Sequence, residues 1–359
     1  MSGSAIDTTR SPVPAPGEAV VSAVARGRRA RGRRRLVVIT VLGVLIATGF
    51  AVTLMVGRTF YPPGDVIGVI LGRDVPGASF TVGRLRLPRA VLAVVAGLSF
   101  GLAGVTFQTM LRNPLASPDI IGISAGAGTG ATFAIVVLSL EGVGVSVFAI
   151  ASGLAVALLV YLLSYRNGVA GGRLVLVGIG IAAMLHSITD HILDRAAQWD
   201  LQEALRWLTG SLNGAGWEAV VPAATALALL APVLLARAGD LDALRLGDDT
   251  AAALGVRVDR TRLVLIVAAV GLISFATAAA GPIAFVAFLS GPIAARLVGP
   301  GGSLLLPAAL VGALLVLVAD FAGQFLLGTR FPVGVVTGVL GAPYLVYLIV
   351  RTHRAGGSL

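Results

Sequence analysis

Ten stretches of about 20 predominantly apolar residues recur along this chain, and that is the length an α-helix needs to cross a bilayer. They lie near 36–57, 88–111, 119–140, 144–165, 173–194, 216–236, 262–280, 282–298, 303–326 and 334–351. Lipid offers no partner to a backbone N–H or C=O, so each span must satisfy its own groups, as a helix does. The eighth run is interrupted by Gly281-Pro282 and Gly291-Pro292. Such breaks are tolerated at membrane depth where the backbone is buried in protein or lines a cavity. The expected fold is an all-α polytopic membrane protein of about ten transmembrane helices.

Composition agrees. Apolar residues make up 57% of the chain and charged residues 12%, against roughly 25% charged in a soluble domain. The 47 glycines suit helices that pack closely in lipid. Cysteine is absent, and all 27 basic residues are arginine. That removes thiolate and disulfide chemistry, lysine Schiff bases and a P-loop, whose lysine contacts the phosphates. If ATP drives this protein, another chain hydrolyses it.

The net charge of +10 is a topology signal rather than a nucleic-acid footprint. Seven arginines fall between Arg26 and Arg35, immediately before the first apolar run, as the positive-inside rule places them. With ten spans both termini lie on one side, and 19 arginines then fall on that side against eight on the other. Both ends are therefore expected in the cytoplasm. The run 36–57 is too long for a signal-peptide core. Residues 1–35 read as a disordered basic tail, 36–351 as the membrane domain and 352–359 as a second short tail.

Polar residues inside the spans are the candidates for function, because they are costly there. His186, Asp190 and Asp194 recur every four residues on one helix face, with His191 beside them. The economical reading is the end of a span near the interface; pathway lining or a proton site is the alternative. Asp320 sits midway along the ninth span and reads as a carboxylate hydrogen-bonded between helices. Gln108, Asn113, Ser117 and Asp119 surround Pro114 and Pro118 at a break between spans two and three, a plausible pathway element. Gly122, Gly126 and Gly130 then repeat at four-residue spacing, which predicts close helix packing. No nucleophile–base pair or metal-ligand spacing stands out, so neither an enzyme nor a bound cofactor is expected.

Two loops carry further elements. Residues 200–208 on the outer side predict a short amphipathic helix with an interfacial tryptophan. The inner loop 237–262 is charged, with an Ala-rich helix expected over 248–254. On pattern alone that helix is equally a solvated connector or a docking element for a cytoplasmic partner.

Several segments are familiar as a set. Arg84-Leu85-Arg86-Leu87-Pro88-Arg89, Gly101-Leu102-Ala103-Gly104 and the run from Gln108 through Asn113-Pro114-Leu115-Ala116-Ser117-Pro118 to Gly122 resemble the FecCD family of permeases. So do Leu205-Arg206-Trp207-Leu208-Thr209-Gly210-Ser211-Leu212, residues 246–255, 280–286 and 332–337, and Gly341-Ala342-Pro343. The match runs in order through 36–351.

The resemblance implies a type II ABC importer permease. It would pair with a second such subunit, sit on two ATP-binding cassette subunits and receive cargo from a substrate-binding protein. It further implies outer docking by Arg86 and Arg89, whose planar guanidinium suits carboxylate partners. Asp248, Asp249, Thr250, Ala251, Ala252, Ala253, Leu254 and Gly255 match the helix that inserts into the ATPase. Val169, Ala170, Gly171 and Gly172 match the cytoplasmic gate.

Two positions depart from the pattern. Gln324 stands where relatives often carry a docking arginine, and Arg330 nearby is the candidate replacement. Leu289-Ser290-Gly291-Pro292 stands where relatives commonly have a Pro-His pair. The implied cargo is a ferric siderophore, with cobalamin or haem as the alternative within the family. From another class, a proton-coupled secondary transporter would use the His186–Asp194 face or Asp320, and a non-transporting scaffold is a third reading.

Overall fold

The computed structural model describes residues 16–119, 122–164 and 171–354, and these are helical apart from their connections. Fourteen α-helices follow in order: α1 (Pro16–Met55), α2 (Pro63–Ile70), α3 (Leu87–Met110), α4 (Ile123–Val136), α5 (Val143–Ser164), α6 (Gly171–Leu193), α7 (Gln198–Leu208), α8 (Trp217–Ala236), α9 (Ala238–Leu244), α10 (Asp248–Ala253), α11 (Val258–Ala280), α12 (Val286–Val298), α13 (Leu305–Phe325) and α14 (Val333–Arg354). A π-helical segment, Ser79–Arg86, leads directly into α3.

Each of the ten expected spans has its helix. Seven helical stretches among the described residues are long and apolar enough to cross a membrane, and Ile123–Val136, Val286–Val298 and Val333–Leu348 are shorter apolar helices. The shortening has local causes. Pro114, Pro118 and the left-handed Gly122 (φ 88°) delay the start of α4. Gly281 (φ 70°) and Phe285 (φ 65°) turn the chain between α11 and α12. The freed backbone is satisfied inside the protein: Ser211 N–H donates to the Ala280 carbonyl at 2.8 Å, and Gln108 Nε2 donates to the Phe288 carbonyl at 2.9 Å.

Residues 16–35 depart from the expected disorder. They are helical, as one continuous extension of α1. Alanine and arginine are good helix formers, and a helix already fixed in the membrane extends without a new nucleation cost. Arg34 also ties the extension down, donating to the carbonyls of Leu297 (2.9 Å) and Arg296 (3.0 Å). The helices α2 and α9 and the π-helical segment have no counterpart in the sequence reading.

At the centre lies α3, 83% buried over its apolar window, with α11 (72%) and α13 (61%) around it. Its closest packing is against α13, and glycine makes the approach feasible. A Cβ at Gly97 would lie 2.5 Å from Ala313 Cα, one at Gly101 would strike the Ala308 carbonyl, and one at Gly104 would strike the Ala287 carbonyl of α12. The expected glycine stripe on α4 behaves likewise: a Cβ at Gly126 would meet Val156 at 2.7 Å, and one at Gly130 would collide with Ser152, both on α5. In lipid, where apolar transfer gives helices little reason to associate, such backbone proximity supplies the packing energy.

Gly104→Val should therefore cost roughly 3 kcal/mol or more, since the added side chain meets backbone that cannot yield. Gly43→Ala, which meets nothing within 4 Å, should be neutral. Folded yield and thermal unfolding of the two variants in detergent give the comparison.

Candidate functional site

Three segments far apart in sequence converge at the end of the molecule where α3 begins. The turn after α7 places Gly210 (φ 70°) against Pro282, Gly281 against the Trp207 carbonyl, and Gly334 against the Thr209 carbonyl. Gly334 N–H donates to the Gly210 carbonyl at 3.1 Å. The motifs 205–212, 280–286 and 332–337 thus form one glycine-tight junction. Their separation in sequence hides it.

Beside this junction lies an ionic cluster. Arg89, in the first turn of α3, grips Asp320 of α13 through two hydrogen bonds, Nε to Oδ2 at 2.7 Å and Nη2 to Oδ1 at 2.6 Å. Asp320 is 2% exposed. Arg89 Nη1 also donates to Asn213 Oδ1 at 2.7 Å, and Gln324 Nε2 donates to the same oxygen at 3.1 Å. The expectation that Asp320 is held between helices is met, and its partner is Arg89. Gln324 sits in the network as a neutral donor.

Arg86 is also engaged internally. Its Nη1 donates to the carbonyls of Leu54 (2.9 Å) and Met55 (3.1 Å), its Nη2 to that of Thr59 (2.7 Å). The guanidinium lies 5.1 Å from the centre of the Tyr61 ring. It closes α1 over the π-helical segment. Arg330, in contrast, is exposed and forms no ion pair among the described residues.

The opposite end of α3 carries the second cluster. Arg112, just past α3, donates from Nη2 to Asp248 Oδ1 at 2.9 Å, and Arg262 Nη2 reaches both Asp248 oxygens at 2.8 and 2.9 Å. Arg262 is 7% exposed. Asp248 opens α10, so one carboxylate joins that helix to the second turn of α11 and to the α3–α4 break. Arg262 reads in the sequence only as a topology charge and Arg112 as one residue of the 108–122 run; no local pattern marks either as a partner of Asp248. On the outward side of α10, Asp249, Thr250, Ala252, Ala253, Leu254 and Gly255 are exposed, while Ala251 is buried.

The break itself is internally bonded. Asn113 Oδ1 accepts from Leu115 N–H at 2.9 Å, Ser117 Oγ donates to Asp119 Oδ2 at 3.1 Å, and Ser124 Oγ donates to the other Asp119 oxygen. Pro114 is half-buried, and Gln108 bridges α3 to α12. Of the expected gate, Val169 and Ala170 lie outside the described residues; Gly171 opens α6, and a Cβ at Gly172 would meet nothing within 4 Å. His186, Asp190, His191 and Asp194 are exposed near the end of α6, and no group of three metal-ligating side chains occurs among the described residues. In the departing segment 289–292, Ser290 Oγ donates to the Val286 carbonyl at 2.6 Å inside α12.

Comparison with known proteins places these features. The model of the FecCD transport family matches residues 44–351. This chain belongs to the FecCD transport family. It is 38% identical over 301 residues to the ferric enterobactin transport system permease protein FepG of Escherichia coli (strain K12), covering 83% of this chain and 91% of that one. It is 36% identical over 320 residues to the Fe(3+)-citrate import system permease protein YfmE of Bacillus subtilis (strain 168), covering 88% and 96%. A solved structure of a metal-chelate type ABC transporter in an inward-facing conformation superposes with a TM-score of 0.79 at 26% identity, covering 87% and 98%. The fold is that of an ABC importer permease, and the protein is a multi-pass membrane protein.

Removing one partner of a buried ion pair strands the other, at about 3–5 kcal/mol. Asp320→Asn should lower stability in detergent by an amount in that range. Asp320→Asn combined with Arg89→Gln should recover part of it, because neither charge is then left buried. A double-mutant cycle of unfolding midpoints measures the difference. Asp248→Asn should cost less, about 1 kcal/mol, because the carboxylate is 41% exposed and solvent screens it.

Proposed function

We propose that this chain is one of two permease subunits of an ATP-driven importer for ferric siderophores. The observation that carries the reading is the family match across the whole membrane domain. The cargoes named for the two relatives, ferric enterobactin and Fe(3+)-citrate, favour a ferric chelate over cobalamin or haem. If ATP drives the transport, a separate chain hydrolyses it, because this one lacks the lysine of a P-loop. The reading places both termini in the cytoplasm, and with them the arginine-rich extension of α1 and the 237–262 loop.

The coupling role belongs to α10. Its exposed face of small residues, flanked by Leu246 and Leu254, each 64% exposed, suits entry into a shallow groove on an ATPase. Asp248 then hands any displacement to Arg262 and Arg112, and so to α11 and the end of α3. Because α3 has 24 residues and rises 1.5 Å per residue, it spans about 36 Å. It therefore connects the α10 cluster to the Arg89 cluster on the outer face. The break with Asn113, Pro114 and Ser117, and Gly171 and Gly172 before α6, are the elements proposed to open and close the inner mouth.

Docking of a binding protein is proposed on the outer face. Arg89 is neutralised by Asp320 and acts there as an anchor. Arg330 and Arg86 supply the positive charge that acidic partner residues would meet. A second subunit completes the translocation path. A proton-coupled mechanism has less support, because Asp320 is committed to an arginine.

Uptake of ⁵⁵Fe-labelled ferric siderophores by a strain lacking this chain should be lost and restored by its return. Uptake that persists in the absence of the chain, or that collapses with an uncoupler while ATP is maintained, would overturn the reading. Leu254→Asp should leave folded yield unchanged, because the side chain is exposed, and should reduce uptake at least tenfold. Arg330→Glu should weaken binding-protein association in a salt-dependent way, measured by surface plasmon resonance on the assembled transporter.

A further inference from the structure

An apolar pocket of about 280 Å³ lies between α1, α12, α13 and α14, walled by Leu42, Leu289, Ile293, Leu297, Val318 and Leu340 among others. It borders α1, whose apolar window is only 11% buried, so in a membrane it meets acyl chains. One end is basic. Leu297, which lines the pocket, gives its carbonyl to Arg34, and the neighbouring Arg296 carbonyl accepts from the same guanidinium. Arg31 and Arg34 flank Gly301 and Gly299 in the turn after α12.

Arg296 completes this rim. Its Nη1 donates to Tyr344 Oη at 2.6 Å, and its guanidinium lies 5.3 and 5.4 Å from the ring centres of Tyr344 and Tyr347 on α14. A tyrosine-backed arginine at the edge of an apolar pocket resembles an interfacial anchor. Asp242 is the nearby acid that interacts with Arg35; burial pushes its carboxyl above the ordinary value, and Arg245 and Arg35 draw it back down. That leaves Arg35 partly compensated. Arg31, Arg34 and Arg296 form no ion pair among the described residues.

We propose that this pocket and its arginine rim bind an anionic phospholipid of the inner leaflet. One acyl chain lies along Leu42, Ile293 and Leu297, and the headgroup phosphate meets Arg31, Arg34 and Arg296. The chemistry matches at both ends: hydrocarbon against an apolar wall, and a phosphate beside guanidinium groups that suit its geometry. The bound lipid links α14 to α1 and α12, which already meet through Arg34, whereas α1 and α14 have little direct contact. The inference takes from the preceding reading only the membrane and the sidedness of the arginines, not the cargo.

Native mass spectrometry of the purified full-length chain, titrated with dioleoylphosphatidylglycerol or dioleoylphosphatidylcholine, tests it. The anionic lipid should bind more tightly. An arginine near the surface is worth roughly fivefold, so Arg296→Gln should lose about that factor and Arg31→Gln with Arg296→Gln about 30-fold. Arg34 is left in place because it holds the Leu297 carbonyl. Val318→Trp, at an exposed position on the pocket wall, should abolish the adduct without shifting the lipid-free unfolding midpoint. If that variant unfolds, Leu340→Trp on α14 repeats the test. Equal affinity for the two lipids, or adducts that survive pocket filling, would overturn the proposal. So would a change of oligomeric mass on filling, which would assign the pocket to a second copy of the chain.

Discussion

Everything else in this protein hangs on how closely α3 can approach its neighbours. Gly97, Gly101 and Gly104 let its backbone touch that of α13 and α12, where any larger residue would collide with a carbonyl or a Cα. Lipid tails are as apolar as the side chains, so burial alone does not hold helices together; contact at backbone distance does. Once α3 is seated, its two ends are fixed in space. Arg89 is delivered to Asp320 at one end, and Arg112 is delivered to Asp248 at the other.

The two ionic clusters differ in kind. Arg89–Asp320 is a buried, bidentate pair whose cost of desolvation is offset only because both partners and Asn213 are in place. It fixes the N-terminal end of α3 to the C-terminal half of α13 and to the loop after α7. The Arg112–Asp248–Arg262 cluster is half open to solvent on the Asp248 side, so it can hold α10 while leaving its exposed face available. A buried clamp at the N-terminal end of α3 and a more exposed one at its C-terminal end are thus joined by a single buried helix.

Membrane insertion was legible residue by residue. Ten runs yielded ten helices because each apolar run in lipid satisfies its own backbone, whatever its neighbours do. The α4 glycine stripe was legible for the same local reason. The helix over residues 16–35 was missed because a Ser-, Pro- and Gly-containing stretch with many arginines looks like a tail until Arg34 is seen to bond the end of α12. The sequence marked Arg86 and Arg89 as docking residues, and gave no sign of the partners they have inside the fold. Motif resemblance marks positions, whereas hydrogen bonding depends on which carbonyl or carboxylate the fold brings within 3 Å.

By itself, then, the sequence determined the environment, the helical class, the order of the spans and the membership of the FecCD family. These rest on properties that act within one segment: run length, arginine placement and ordered motifs. Only the tertiary structure decided that Asp320 belongs to Arg89, that Asp248 is shared between Arg112 and Arg262, and that Gly210, Gly281 and Gly334 meet at one junction. Those pairings join residues up to 231 positions apart. They depend on the crossing of several helices, which no single segment encodes.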